Sequence, residues 1–237
     1  MPRSVAMYDL LSNEDPRGTR VRDAASLESL LDSDGIGKKE AREHAELPPE
    51  EFLTLRDLLN SERRSRGEAL FNDDVSSTER NLHVILHPKV KECRHLMVGG
   101  VRFQSAKHSY KNSNVIYSCD GVHAGRIINI FIHERHDVGG RMEDIFLVIR
   151  RLVPLTRDDL RHDVFRSYRV GGYLRYDRYK ERLDIIRPQS VLCHFARTPY
   201  HVVDAVAFVH VRPLDTLARI SGFRSDDDDA MGIDENN

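Results

Sequence analysis

Tryptophan is absent from the 237 residues, and cysteine occurs three times, at Cys93, Cys119 and Cys193. An odd number at wide separation supports neither a disulfide framework nor a paired zinc knuckle, so a reducing compartment is expected. No run of about 18 apolar residues is present to cross a bilayer as a helix, and MPRSVAMYDLLSNEDPRGTR at the start holds no apolar stretch of signal-peptide length. The expectation is a soluble, intracellular protein with no membrane partner. Catalytic signatures are missing too: there is no GxSxG elbow, no phosphate loop, no GxGxxG after a strand and no HExxH. VGGVRF and VGGYLRY carry glycine pairs of the hairpin kind rather than phosphate cradles.

What is present is charge, unevenly spread. Charged residues make up 31% and hydrophobic ones 40%, a polar balance that leaves part of a chain this size without a core to join. The net charge is −2, yet residues 94–220 hold 21 Lys plus Arg against 13 Asp plus Glu, and the remainder 15 against 25. A basic body therefore carries acidic ends. SDDDDAMGIDENN, residues 225–237, has almost nothing apolar and is expected to stay disordered. Such a run serves solubility, or mimics phosphate and competes for the basic body.

Residues 1–46 read as mostly disordered with short helices, DAASLESLLDSDG being one, with Leu27, Leu30 and Leu31 on a face and Gly35 as its stop. The stretch 47–67, LPPEEFLTLRDLLNSERRSRG, predicts an amphipathic helix: proline in the first turn, Glu50 and Glu51 at the positive end, Phe52, Leu55, Leu58 and Leu59 as a stripe, Gly67 as the stop. That stripe needs a surface, on this chain or another. From residue 82 the period becomes two. RHLMVGGVRFQS predicts a hairpin at Gly99-Gly100, and NVIYSC, GRIINIFIHE, DIFLVIRRLVPL, GYLRYD, LDIIRP, SVLCHF and AVAFVHV follow as strands without an intervening helix. RIINIFIH and IFLVI are apolar on both faces, as central strands covered on both sides are. The fold class is α+β: short N-terminal helices, then one small antiparallel β-barrel-like domain over 82–220, then an acidic tail over 221–237.

The order LPPEEFLTLRDLLNSE, VGGVRFQSAKHSYKNSNVIYS, GRIINIFIHE, FLVIRRLVPLTRDDLRHDVFRSY, GYLRYD, IIRPQSVLCHFA and VHVRPLDTLAR resembles the C-terminal module that follows the transposase core in open reading frames of fungal CACTA (En/Spm-like) elements, over roughly residues 47–217. No catalytic carboxylate core lies upstream, and the polar FNDDVSSTERN stands where a short linker is usual. The resemblance implies an excised or domesticated tail rather than a transposase. The succession from GRIINIFIHE to IIRPQSVLCHF, about residues 113–215, is also similar to bromo-adjacent homology (BAH) domains, chromatin-associated β-barrels. Both imply a nuclear location and a nucleic-acid or chromatin-protein partner.

Four constellations carry possible chemistry. In VLCHFARTPYH, Cys193 and His194 are adjacent and point to opposite faces of a strand, with His201 in a turn beyond Pro199, so a zinc site is not expected there. His133, His136 and Asp137, read as a hairpin tip, offer the ligand set of a metal-dependent hydrolase as an alternative function; a folded relic without selected activity is another. The acids Asp144, Asp158, Asp159 and Asp163 would have to converge from separate elements to act together. The leading constellation is RHDVFRSYRVGGYLRYDRYKER, residues 161–182. Here Arg166, Arg169, Arg175, Arg178, Lys180 and Arg182 supply cations for phosphate, interleaved with Tyr168, Tyr173, Tyr176 and Tyr179, of which Tyr173 and Tyr176 are the rings expected to stack. The function expected is a non-catalytic, transposon-derived binding module that needs no cofactor. Tyrosines packed on a core and arginines on a solvated face make the competing reading of the same pattern.

Overall fold

The computed structural model describes residues 45–72, 83–137, 140–168, 172–201 and 206–214. The helix expected at 23–35, Arg169 and the acidic segment lie outside the described residues. Helix α1, Pro49–Arg66, forms where the sequence places it. Pro48 is its N-cap and Pro49 its first residue, Glu50 and Glu51 face the positive end of the helix dipole, and Arg63, Arg64 and Arg66 face the negative end. Gly67 closes it in the left-handed region, at φ 69°, donating its N–H to the last turn. Leu55 and Leu59 are buried, with Phe52 and Leu58 partly so, and the surface that they meet is the chain's own sheet.

Thirteen strands form among the described residues, the first of them before α1: β1 Ala45–Glu46, β2 Leu70–Asn72, β3 His83–Ile85, β4 Lys89–Glu92, β5 His95–Val98, β6 Val101–Gln104, β7 Asn114–Ser118, β8 Val122–Asp137, β9 Gly140–Leu152, β10 Tyr173–Tyr176, β11 Tyr179–Ile186, β12 Val191–His201 and β13 Ala207–Pro213. Nine of them make one antiparallel sheet. Its path runs β1-β4-β8-β7-β12-β13-β10, and β9 pairs with the other edge of β8 and carries β11. β5 and β6 form the hairpin expected at Gly99-Gly100, both glycines at positive φ. β2 and β3 make a short parallel pair.

β8 and β9 are the central strands, apolar on both faces. One face gives Ile127, Ile130, Ile132, Ile145, Leu147 and Ile149 to a core shared with the β5–β6 hairpin through Leu96, Val98 and Phe103. The other gives Phe131, Phe146 and Val148 to a core under α1, with Leu183 and Ile185 of β11. A third core joins Ile116, Leu152, Tyr173, Cys193, Phe195, Val209 and Val211. Helix and sheet thus share one core, and residues 47–67 belong to the same folded body as the strands. At the far end of the sheet, Val153 accepts from the Tyr176 N–H at 3.1 Å and donates to the Arg178 carbonyl at 3.0 Å. No ladder closes the sheet into a barrel among the described residues. The architecture is a mostly antiparallel sheet with one helix.

β12 departs from expectation. It runs unbroken from Val191 through Pro199 to His201, so His201 ends a strand rather than sitting in a turn. Past His194 its pairing is with β13 alone, and a proline without an N–H is tolerated on such an edge.

Gly172 enters β10 at φ 82°, and a Cβ there would lie 2.1 Å from the Val211 carbonyl oxygen. Gly172→Ala must strain the backbone and push β13 aside, and we expect a loss on the order of 2–3 kcal/mol. Differential scanning calorimetry should read this as a fall in Tm of roughly 5–10 °C.

Candidate nucleic-acid interface

The segment 161–182 turns Tyr173 and Tyr176 inward and leaves Tyr168 exposed. Two short 3₁₀ turns, Asp159–His162 and Val164–Ser167, place Asp163 where its buried carboxylate accepts the Leu174 N–H at 2.9 Å and Arg166 Nε at 3.1 Å. That clamp pins the turns against β10, whose four residues are all buried. Tyr173 is 7% exposed and carries the Arg175 guanidinium, itself buried, 4.8 Å above its ring. Burial pushes the Tyr173 hydroxyl up to about 12. Tyr176 is 6% exposed, stacks on Phe208 at 5.7 Å, and hydrogen-bonds Asp159 and Thr156 through its hydroxyl. The expectation that Tyr173 and Tyr176 stack on bases is therefore corrected: they are core residues. Arg175 and Arg166 are engaged within the fold, Arg178 is exposed just before β11 with its guanidinium 4.9 Å over the Tyr176 ring, and Lys180 and Arg182 are exposed on β11.

The alternative metal set is corrected as well. β8 runs to Asp137, so His133 is no hairpin tip: it is 0% exposed, pairs with Asp144 across the ladder and bonds the His87 carbonyl through Nε2 at 2.9 Å. His136 lies three residues on, on the opposite face, and is exposed. The two imidazoles cannot share an ion. Among the described residues no three His, Cys, Asp or Glu side chains gather as a metal site. Cys193 is buried in the third core, while His194 points the other way, stacks on Phe103 at 4.1 Å and has its ring nitrogens 3.0 and 3.1 Å from the Asn114 and Arg102 carbonyls.

Two ionic networks hold the scaffold. Arg187 bonds Glu62 of α1 at 2.9 and 3.0 Å and Asp144 of β9 at 3.0 Å, and Asp144 meets Arg135 at 2.5 Å. Burial opposes the charge on Asp144, but Arg187 and Arg135 prevail and hold its carboxyl below the usual range. On the other face Asp184 accepts from Arg151 Nε at 2.7 Å and from the Tyr117 hydroxyl. Burial, then the Asp184 charge, drives the Tyr117 hydroxyl well above its ordinary value. The four acids flagged in the sequence do not converge on a common point: Asp144 serves the first network, Asp159 bonds Tyr176 and Asp163 clamps β10.

Burial lowers the pKa of His133, and burial with the Arg151 charge lowers that of His123. Both therefore stay neutral in the folded chain at a pH where the unfolded chain protonates them, so the unfolded state binds more protons. Stability is full above about pH 6.5 and falls as pH drops below the unfolded value toward the depressed folded ones. Urea titrations between pH 7.5 and 5.5 should show this loss, and His133→Gln should reduce it.

A cluster of arginine and tyrosine does reach the surface, built from residues that no sequence window joins. Tyr110 is 50% exposed, and the Arg126 guanidinium lies 4.0 Å over its ring and 5.0 Å from that of Tyr179. Arg126 donates to the Tyr110 hydroxyl at 2.5 Å and Arg197 at 3.1 Å, and Arg197 also pairs with Asp177. Register places Arg126 of β8 directly opposite Arg150 of β9. Arg150 is exposed and makes no ion pair among the described residues. Like charges placed opposite each other on a ladder repel. Here the rings fix one of them by cation–π contact, and Arg197 beside it pairs with Asp177. A shallow cleft of about 370 Å³, lined by Asp159, Tyr176, Asp177, Arg178, Val206 and Ala207, adjoins the cluster through Asp177. Such an arrangement offers fixed cations and a half-exposed ring. No helix of the described residues is long and apolar enough to cross a membrane. No family model matches the chain, and neither a curated protein nor a solved structure does.

Proposed function

We propose that the chain is a non-catalytic module that binds nucleic acid through Tyr110, Arg126, Arg150, Tyr179 and Arg197, with Arg178, Lys180 and Arg182 extending the cationic surface along β11. The observation that carries the reading is the Arg126–Arg150 pair, opposite one another with no carboxylate between them and one of the two locked on tyrosine rings. A phosphodiester bridging such a pair relieves repulsion that the free protein must bear. A nuclear location and a transposon-derived origin go with this reading through the resemblance to the CACTA module. A chromatin protein is the second reading, carried by the resemblance to BAH domains and favoured by the two Val153 backbone bonds that link the end of β9 to the end of β10.

Fluorescence anisotropy with a labelled 20-nucleotide single strand and its duplex tests the proposal. Binding is expected at low ionic strength. Tyr110→Ala should weaken single-strand binding by about 1–3 kcal/mol if a base stacks on the exposed part of the ring. Absence of association with either form would defeat the nucleic-acid reading and favour the protein partner.

A further inference from the structure

The last described residue of the chain leaves the sheet beside the cluster. Leu214 donates its N–H to the His194 carbonyl at 3.0 Å, His194 lies 3.0 Å through Nδ1 from the Asn114 carbonyl, and Asn114 is the ladder partner of Arg126. Three strand spacings, roughly 15 Å, separate the exit point from Arg126. Twelve residues lead from Leu214 to Asp226, and their extended reach is about 40 Å. Beyond them come six carboxylates within ten residues, Asp226, Asp227, Asp228, Asp229, Asp234 and Glu235.

We propose that this acidic segment of the same chain occupies the Tyr110–Arg126–Arg150–Arg197 surface and competes there with nucleic acid. The proposal rests on the binding reading above and adds its regulation. Charge complementarity supports it: Arg126 and Arg150 make no ion pair among the described residues and Arg197 makes one, with Asp177, while the segment supplies four consecutive aspartates. The segment is almost devoid of apolar side chains, so it has little to offer the surface except charge. A tethered competitor acts at an effective concentration on the order of millimolar, so a weak contact is enough to be felt. Because the contact is purely electrostatic and exposed, salt weakens it, and the competition fades at high ionic strength.

The test uses the full chain and a full-chain variant with Asp226→Asn, Asp227→Asn, Asp228→Asn, Asp229→Asn, Asp234→Asn and Glu235→Gln. Binding of the labelled 20-nucleotide single strand is measured alongside the arginine side-chain NMR resonances of the free proteins. The expected result is about tenfold tighter binding by the variant at low salt, converging with the parent by about 0.5 M salt. Shifted guanidinium resonances of Arg126 and Arg197 should accompany it. Shifted resonances without nucleic-acid binding by either protein would keep the segment on the cluster and overturn the competition, together with the binding reading itself. Equal affinities and unmoved resonances would overturn the inference while the nucleic-acid reading stands.

Discussion

Asp184→Ala should cost about 4 kcal/mol of folding stability. The carboxylate accepts from Arg151 Nε at 2.7 Å and from the Tyr117 hydroxyl, and so ties together β9, β7 and β11. Tyr117 is fully buried, and the Arg151 and Asp184 side chains are 17% and 14% exposed. Removing the acceptor strands a hydroxyl and a guanidinium where water reaches them poorly, which is the case in which breaking an ion pair is strongly destabilising. The fall in Tm should be roughly 10 °C. Asp184→Asn keeps an oxygen in place and should lose less than half as much. A melting curve for Asp184→Ala that overlays the parent's would mean that the network does not hold the three strands together.

How far this fold was legible depends on how local each signal is. α1 was readable end to end because its caps lie within its own span: Pro48 and Pro49, two glutamates, three arginines and Gly67. The β5–β6 hairpin and the two-faced strands β8 and β9 were readable for the same reason, a turn pair and a period of two. His133 was misplaced because the apolar pattern of β8 stops at Ile132 while the strand goes on to Asp137, held by pairing with β9. What buries it is the segment carrying His87, 46 residues upstream. Tyr173 and Tyr176 were misread because nothing near them reveals that both faces of β10 are covered. The cover comes from turns at 159–167 and from Phe208 on β13. The surface cluster was out of reach for a further reason. Tyr110 and Arg126 are 16 residues apart and Tyr110 and Arg197 are 87 apart, so only strand register brings them together. Arginine stands beside tyrosine there too, but on β8, β11, β12 and the turn at Tyr110 rather than in one window.

The most direct measurement of the central claim is the salt dependence of nucleic-acid association for the parent and for the triple variant Arg126→Ala, Arg150→Ala, Arg197→Ala. Each phosphate neutralised releases condensed counterions, so the logarithm of the association constant falls linearly with the logarithm of salt. Each contact contributes about 0.7 to the slope on a single strand and about 0.9 on a duplex. Three arginines that contact three phosphates should therefore flatten the slope by roughly 2 to 3. Arg150 is exposed while Arg126 and Arg197 are half-buried, so losing the cation–π contacts and the Arg197–Asp177 pair should cost the variant about 1–3 kcal/mol and leave it folded. Calorimetry on the same samples establishes this. The account predicts a steep slope for the parent and a slope shallower by 2 to 3 for a variant that remains folded. Equal slopes for the two folded proteins, or a parent whose association ignores salt, would contradict it.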